Sequence, residues 1–433
     1  MILMFGMEYK MKQLSIIIPF YNRESYLEKC LESVLLSDCH DIELILIDDA
    51  STDSGGGIAH TQYKESNFDV QIITHEKRTG PSASRNEGIR YAQGEYLYFM
   101  DSDDSIVSEE LKNIIYILKK NQDIDILLVD YQQILHDRLL SVKKPVGTAA
   151  EGMQTMRMVL ENTYWNKQLP AQAWRYFVRR ELVVKNQINF PESLSYGEDS
   201  IFSMRLFQIA HNVYYYPKIF YNYRIDNEDS LTKQAYYNRW KSQEYFKERF
   251  HILGSWMQRE KESTFLKQWF EQWLHQCIRE FLFEKDWEQM TADIGKSCCM
   301  IPRDYMSVLP DDETVDIYLA KYRENLFKEL RDAKNVYLLP ACQDNVLLAE
   351  KWRKFQIRIS GFLDNNTSPD NHNLKSVFEY GYTVENLKGK LEKNDLCAYD
   401  LYIICHWQSV TDSIFQQLSE AGICKESIIT INW

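Results

Sequence analysis

Short runs of apolar residues alternate with longer stretches of helical period over the first hundred residues of the chain. The runs predict buried strands, and this alternation is typical of βαβ units with a mostly parallel sheet. Asn22 precedes a stretch whose apolar residues recur on one helical face, so we expect it to be the N-cap of that helix. A second helix is predicted near Ser82–Ala92. The predicted strands are Leu14–Pro19, Ile42–Ile47, Val70–Thr74 and Glu95–Met100.

The same pattern divides the chain into three predicted regions: 11–232, 233–330 and 334–433. The first is α/β, with a further strand at Ile124–Asp130, and the second is helical. Trp269, Trp273 and Cys277 are spaced by four in the helical region, which predicts a core stripe rather than a ligand site. The third region returns to an α/β pattern, with a helix predicted near Val384–Leu391. Its predicted strands are Val336–Leu339, Ile357–Leu363, Leu401–Cys405 and Ile428–Ile431.

The C-terminal α/β region is similar to the small Rossmann-like domains attached to some sugar-modifying enzymes. The turn after its first predicted strand reads Pro340-Ala341-Cys342-Gln343-Asp344 and contains no glycine. Without glycine the backbone does not approach a pyrophosphate closely. We therefore expect packing, oligomerisation or acceptor positioning from this region in preference to dinucleotide binding.

Polar residues follow three of the predicted N-terminal strands directly. Tyr21 follows the first strand, Asp48-Asp49 follow the second, and Asp101–Asp104 follow the fourth. Ligands of open α/β sheets bind outside the carboxyl ends of the strands. We therefore expect these three clusters to meet at one edge of the sheet and to form a ligand site there.

Charge and composition narrow the class of protein. The 433 residues contain 50 Lys and Arg against 63 Asp and Glu, a net charge of −13, which argues against a nucleic-acid partner. The nine cysteines form no C-x-x-C pair, so a reducing, cytoplasmic location is expected without a zinc site. Neither a signal peptide nor a transmembrane window is predicted, and any membrane contact is expected to be peripheral, at the inner face of the plasma membrane.

The acidic turn Asp101-Ser102-Asp103-Asp104 is the strongest chemical candidate. Its oxygen ligands suit Mg²⁺ or Mn²⁺ bridged to a substrate phosphate. Taken alone, a solvated acidic turn is an equally good interpretation. Asp49, in a second cluster at a strand end, offers a hydrogen-bond acceptor to a nucleobase or a ribose. The alternative interpretation is that this cluster only caps the next helix, through Ser51 or Thr52. Together the two clusters predict a nucleotide-diphosphate site.

Four blocks, in this order, resemble the family 2 glycosyltransferases, which have the GT-A fold. They are SIIIPFYNRESYLEKCLESVL from Ser15, LILIDDASTD from Leu44, GPSASRNEGIRYAQGEYLYFMDSDD from Gly80 and YGEDSIF from Tyr196. Each block has modest specificity, and the ordered set is specific. The resemblance covers residues 11–232. It implies a mixed, mostly parallel sheet between helices, and transfer of a sugar from a nucleotide-diphosphate donor, often UDP-linked, with inversion at the anomeric carbon.

The resemblance also implies roles for individual residues. The acceptor hydroxyl would belong to a saccharide or a lipid-linked saccharide of a cell-surface polysaccharide or glycoconjugate. Asp199 would be the catalytic base, and Glu198 would act beside it or bind the acceptor. The remaining implied assignments concern the donor: Pro19, Tyr21 and Asp49 around the nucleobase, Arg85 near the nucleotide, Asp101 and Ser102 at the ribose and pyrophosphate, and Asp103 on a Mn²⁺ or Mg²⁺ ion.

Other interpretations stay open at this point. Glu198 and Asp199 suit the first turn of a helix whether or not they do chemistry. Trp174 is suited to stacking on a sugar ring, but packing in the core is the preferred interpretation. Arg224 suits a diphosphate contact and a core-edge position equally well. For the whole chain, a scaffold that binds a nucleotide sugar without chemistry is the alternative, and a nucleotidyltransferase is disfavoured because no glycine- and lysine-rich loop is present.

Overall fold

The computed structural model describes residues 12–432 apart from a set of gaps. The described residues form two compact units, of which the first ends at Leu266 and the second begins at Lys267. The predicted boundaries after residues 232 and 330 remain predictions. The gaps are residues 66–67, 136–137, 144–150, 166–170, 195–196, 226–242, 261–262, 264, 271–272, 275–286, 299–314, 342–348, 351–352, 354–356, 366, 368–376, 379–381, 393–399, 407, 421–422 and 424–427.

The described strands of the first unit form one sheet. In spatial order it reads β3-β2-β1-β4-β9-β6-β10-β5, with β7 paired to β6 and β8 paired to β10. The half formed by β3, β2, β1 and β4 is parallel, whereas β9 runs antiparallel to both of its neighbours. The strands are β1 Leu14–Phe20, β2 Ile42–Asp48, β3 Asp69–Thr74, β4 Tyr96–Phe99, β5 Ser105–Ile106, β6 Ile126–Leu135, β7 Arg138–Lys143, β8 Gly152–Thr155, β9 Tyr176–Arg179 and β10 Asn212–Arg224.

Helices cover the central strands on both faces. β1 and β2 are buried along their whole length, as expected for strands between two helical layers. Ile16 and Ile18 belong to the core shared with α1 and α4, while Ile17 faces α3. The helices are α1 Leu27–Leu35, α2 Gly55–Glu65, α3 Pro81–Tyr91, α4 Ser108–Lys120, α5 Met156–Trp165, α6 Arg180–Lys185, α7 Glu198–Phe207 and α8 Gln243–Arg259.

The second unit contains a parallel sheet of its own. The strand order is β13-β12-β11-β14-β15. The second and third strands of the chain order lie on one side of the first strand, and the fourth and fifth lie on its other side, as in a doubly wound sheet. Trp269 and Trp273 stack at 5.3 Å and are each 3% exposed, which confirms the core interpretation for this pair; Cys277 lies outside the described residues. The elements are α9 Trp287–Ser297, α10 Val315–Asp332, β11 Val336–Leu339, β12 Gly361–Asp364, β13 Val384–Asn386, α11 Leu387–Glu392, β14 Leu401–His406, α12 Gln408–Glu420 and β15 Ile428–Asn432.

One helix predicted from the sequence starts later than expected, and one predicted N-cap is wrong. The helix predicted near Val384–Leu391 is present as α11 but begins at Leu387, because Val384–Asn386 forms the edge strand β13 and pairs with β12. Asn22 is not the N-cap of α1, whose N-cap is Tyr26. The Asn22 side chain instead accepts a hydrogen bond from the backbone N–H of Thr52 at 2.8 Å, so it joins the loop after β1 to the loop after β2.

Gly88 is the position that sets how closely α3 approaches the sheet. A Cβ atom there would lie 2.4 Å from Ile17 Cγ2 and 3.2 Å from Ile47 Cδ1, closer than atoms pack. α3 therefore lies against β1 and β2 at a distance that only glycine permits. This matters for function because α3 carries Arg85.

Replacing Gly88 by Ala is expected to destabilise the protein by about 1–3 kcal/mol, because the added methyl group forces the helix away from Ile17. Urea unfolding followed by circular dichroism measures the change. The matched control is Gly57→Ala in α2, where a Cβ meets nothing within 4 Å and alanine should stabilise by about 0.5–1 kcal/mol. Equal stability of the Gly88→Ala variant and the natural protein would contradict the packing argument.

Candidate active site at the carboxyl edge of the sheet

The strand ends that carry the predicted clusters lie at one edge of the sheet. Phe20 at the end of β1 is in register with Asp48 at the end of β2, and the Asp49 N–H donates to the Phe20 carbonyl at 2.9 Å. On the other side of β1, the Met100 N–H donates to the Ile17 carbonyl at 3.0 Å. Parallel pairing thus places the residues that follow β1, β2 and β4 side by side.

Arg85 is the centre of this edge. Its side chain is 6% exposed and reaches three carboxylates from two other parts of the chain. Nη2 lies 2.7 Å from Asp101 Oδ1, and Nη1 lies 3.1 Å from Glu198 Oε1 and 3.2 Å from Asp199 Oδ1. Burial alone would lower the pKa of Arg85, but the three carboxylates outweigh it and raise that pKa. The guanidinium therefore stays charged and ties α3 to the acidic turn and to α7.

Glu198 and Asp199 form the first turn of α7, as the helix interpretation expected, and also face the Arg85 site. Gly197 before them has a φ of 79° and lies against Tyr245, so a Cβ there would be 2.6 Å from the Tyr245 ring. Asp199 Oδ1 is enclosed, and Oδ2 accepts from the Ala173 N–H at 3.3 Å. Tyr196 lies outside the described residues.

Asp199 has an unusual proton affinity. Burial is the largest cause and raises its pKa, Arg85 opposes the rise, and Glu198 and Asp101 add to it, so that the pKa of Asp199 is raised to about 7. A carboxylate of this kind takes a proton more readily than an ordinary aspartate does near neutral pH. This is the property that a general base needs.

The acidic turn divides its carboxylates among three environments. Asp101 is paired with Arg85, and the Ser102 side chain beside it is buried. Asp104 is buried, with Oδ2 accepting from the Tyr221 hydroxyl at 2.7 Å and Oδ1 from the Arg224 N–H at 2.6 Å. Burial, together with Asp103 and Asp101, raises the pKa of Asp104 well above its usual value. Asp103 lines a cleft of about 400 Å³.

Trp174 supports the turn from the core. Its ring stacks on Tyr221 at 4.4 Å with an interplanar angle of 7°, and it is 4% exposed. Tyr221 in turn donates to Asp104. Trp174 is therefore a packing residue of this site, in agreement with the preferred interpretation from the sequence.

A divalent cation bound in this cleft would take Asp103 as a carboxylate ligand. Lys29 and Arg224 line the same cleft, so anionic groups entering it would meet positive charge. In the described part of the chain, no group of three or more His, Cys, Asp and Glu side chains is arranged to hold a metal ion. Mg²⁺ is commonly bound by only one or two protein carboxylates, with waters and substrate phosphates as its other ligands, and the lining of this cleft is compatible with that arrangement. Asp103 would hold it, and the ion would neutralise charge on a departing diphosphate.

Asp49 is held by several hydrogen bonds just after the end of β2. Its Oδ1 accepts from the Thr79 N–H at 2.7 Å and from the Thr79 hydroxyl at 2.8 Å, and its Oδ2 accepts from the Gly80 N–H at 2.8 Å. His75 Nδ1 also lies 2.8 Å from Oδ1. Burial raises the pKa of Asp49, and these hydrogen bonds outweigh it, so the net pKa is lowered and the group is ionised.

The other two residues predicted to surround the nucleobase, Pro19 and Tyr21, lie near Asp49 at the carboxyl edge of the sheet. Pro19 is in register with Ile47 in the paired strand. Tyr21 follows β1, and the Arg78 guanidinium lies over its ring, 4.1 Å from the centroid. Arg78 and His75 were missed by the sequence analysis, because neither belongs to a spacing that points to a ligand. The signal available was their place in the segment between the third predicted strand and the Gly80 block.

The N-terminal part of the chain is similar in sequence to known glycosyltransferases. Residues 15–179 match the sequence model of the family described as glycosyl transferase family 2. The uncharacterized glycosyltransferase EpsJ of Bacillus subtilis is 32% identical over 228 residues, 51% of this chain and 63% of EpsJ. The poly(ribitol-phosphate) beta-glucosyltransferase of Bacillus spizizenii is 31% identical over 227 residues, 52% of this chain and 34% of that protein.

A solved structure shows the same fold. The crystal structure of S. aureus TarS 1-349 in complex with UDP matches 73% of this chain and 91% of that chain, with a TM-score of 0.55 and 20% identity. Residues 15–179 therefore carry the sequence pattern of glycosyl transferase family 2, and the first unit has the GT-A fold. Both curated relatives are matched over less than two thirds of their own length. Among the described residues, no helix is long and apolar enough to cross a membrane.

Replacing Arg85 by Met is expected to destabilise the protein by about 3–5 kcal/mol at neutral pH, because three carboxylates lose a shared buried partner. The loss should shrink as the pH falls and these carboxylates take up protons. Urea unfolding at two pH values measures both effects. Arg90→Met in the same helix is the control: Arg90 is 64% exposed, and its loss should change stability by less than about 0.5 kcal/mol. A pH-independent loss in the Arg85→Met variant would contradict the charge argument.

Proposed function

We propose that this chain is a metal-assisted, inverting glycosyltransferase that moves a sugar from a UDP-linked donor to an acceptor hydroxyl. The observation that carries the proposal is the Asp199 carboxylate, whose Oδ1 is buried 3.2 Å from Arg85 Nη1 and whose pKa is raised to about 7. A carboxylate with that proton affinity at a strand-end site is suited to general-base work near neutral pH.

The donor nucleotide is assigned to the side of the edge formed by Pro19, Tyr21 and Asp49. Asp49 Oδ2 accepts a hydrogen bond from Gly80, and a carboxylate oxygen has capacity for a second one, such as that from the imide N–H of uracil. The Tyr21 and Arg78 pair offers a flat, cationic surface to a nucleobase. TarS, which has the same fold, was crystallised with UDP, and this supports a uridine nucleotide as the probe.

The diphosphate is assigned to the acidic turn and the cleft beside it. Asp101 and Ser102 lie next to Asp103, and the cations Lys29 and Arg224 line the cleft wall. Positive side chains there would balance the charge of the two phosphates. Arg85 contributes through position: it holds Asp101 and Asp199 in a fixed relation, and its guanidinium is already engaged with carboxylates.

Asp199 is assigned the proton transfer. The acceptor oxygen forms a bond to the anomeric carbon of the sugar while the bond from that carbon to the diphosphate oxygen breaks. The diphosphate leaves with the electron pair, and Asp199 takes the proton of the acceptor hydroxyl. Attack on the face opposite the leaving group inverts the configuration. Glu198 Oε1, on the same Arg85 nitrogen, is assigned to acceptor binding.

The acceptor is proposed to be a hydroxyl of a cell-surface polysaccharide or glycoconjugate. The support is the likeness to a poly(ribitol-phosphate) beta-glucosyltransferase, whose name gives a polymer, poly(ribitol-phosphate), as its acceptor. A lipid-linked saccharide is the other acceptor class that the sequence resemblance implies.

Asp199→Asn is expected to lower turnover by about 100-fold or more while leaving UDP affinity unchanged, because an amide cannot take the proton. UDP release from a panel of UDP-sugars, with and without acceptor saccharides, measures turnover. In the natural protein, turnover should rise with pH through about 7, since the base works only when ionised. Near-normal turnover in the variant would overturn the assignment of the base. UDP binding without turnover in the natural protein would favour the scaffold alternative.

Asp103→Ala is expected to weaken UDP binding in the presence of Mn²⁺ by about ten-fold or more, and to change metal-free binding little. Titration calorimetry with and without the metal separates the two effects. Asp123→Ala is the matched control, because Asp123 belongs to another D-x-D sequence, is exposed, and precedes strand β6. An equal loss in both variants, or none in Asp103→Ala, would contradict the metal assignment.

A further inference from the structure

We propose that His75 is a positioning residue of the donor site, which as an imidazolium bridges Asp49 to Glu87 and couples nucleotide binding to its own proton. This inference rests on the proposed function, since it takes Asp49 as part of the nucleotide pocket. It concerns a residue outside the sequence motifs and outside the Arg85 site.

When both carboxylates are ionised, the two contacts are both hydrogen bonds only if the His75 ring is charged. Nδ1 lies 2.8 Å from Asp49 Oδ1 and Nε2 lies 2.7 Å from Glu87 Oε2. An ionised carboxylate only accepts hydrogen bonds, and a neutral imidazole has one N–H. Only the doubly protonated ring donates to both partners. The His75 side chain is 11% exposed, so water has limited access to replace either contact.

The bridge joins two elements of the site. Asp49 directly follows β2, and Glu87 lies on α3 two residues after Arg85. The Gly80 N–H at the start of α3 donates to the other Asp49 oxygen. His75 and Gly80 thus connect the end of β2 to the helix that carries Arg85 by two separate contacts with Asp49. Loss of either His75 contact would leave the Asp49 carboxylate or the helix less firmly held.

The groups around His75 favour its proton. Asp49 faces it from the end of β2 and Glu87 from α3, and the Thr79 hydroxyl lies 2.9 Å from Nδ1. Arg90 is a nearby cation, 3.8 Å from the Glu87 carboxylate. Burial lowers the pKa of His75, and the hydrogen bonds and charges of the two carboxylates outweigh it, so the pKa is raised above its usual value. The bridge is therefore complete while His75 is protonated and both carboxylates are ionised, and it is lost as the pH rises through that raised value.

The test compares UDP affinity in the natural protein and in His75→Gln, with Mg²⁺, from about pH 6 to about pH 8.5. We expect the natural protein to bind UDP more tightly at the low end, with an advantage over the variant of about five-fold or more that disappears at the high end. Ionisation of UDP affects both proteins equally, so the difference between them reports His75. His60→Gln, at an exposed position in α2, is the control and should follow the natural protein.

A measurement on the natural protein covers the case in which His75→Gln does not fold. By linkage, if the proton on His75 favours UDP, then UDP must raise the pKa of His75. NMR titration of histidine ring signals with and without saturating UDP measures that shift. An unchanged His75 pKa, or a variant with the same pH profile as the natural protein, overturns the inference. Absence of UDP binding by the natural protein at every pH overturns the proposed donor site instead, and the inference with it.

Discussion

The Arg85 guanidinium is the interaction on which the rest of the site depends. Three carboxylates lie within 3.2 Å of its terminal nitrogens, and they come from the turn after β4 and from the start of α7. Without a cation among them these groups would repel one another in a poorly solvated place. Asp199 holds a proton more tightly than an ordinary aspartate chiefly because it is buried; the charge of Arg85 opposes this effect, and the charges of Glu198 and Asp101 add to it.

The scaffold fixes where that guanidinium can be. Gly88 lets α3 lie close to Ile17, and Asn86 on the same helix accepts from the Phe190 N–H at 2.8 Å and donates to the Phe190 carbonyl at 2.9 Å. Phe190 stacks on Phe202 of α7 at 4.0 Å. α3 and α7 are therefore held together by packing and hydrogen bonds beside the ion pairs, so the charged groups meet in a frame that is already built.

The sequence predicted the parts that depend on local pattern. Continuous apolar runs identified β1 and β2, and the order of strand ends predicted that Tyr21, Asp49 and Asp101 share an edge. It could not predict how the acidic turn divides its carboxylates, because the partner of Asp104 is Tyr221, which lies 117 positions away. The Asn22 prediction failed for a similar reason: its partner is Thr52 in another loop, and a capping signal depends only on neighbours along the chain.

The position of α3 also bears on which changes of length this domain tolerates. The segment from His75 to Gly80 spans from the end of β3 to the start of α3, and both of its ends are bonded to Asp49. An inserted or deleted residue there would rotate the helix by about 100° if the shift were carried into it, and would turn Arg85 away from its partners. Homologous chains should therefore vary in length elsewhere on the surface while keeping this segment at constant length.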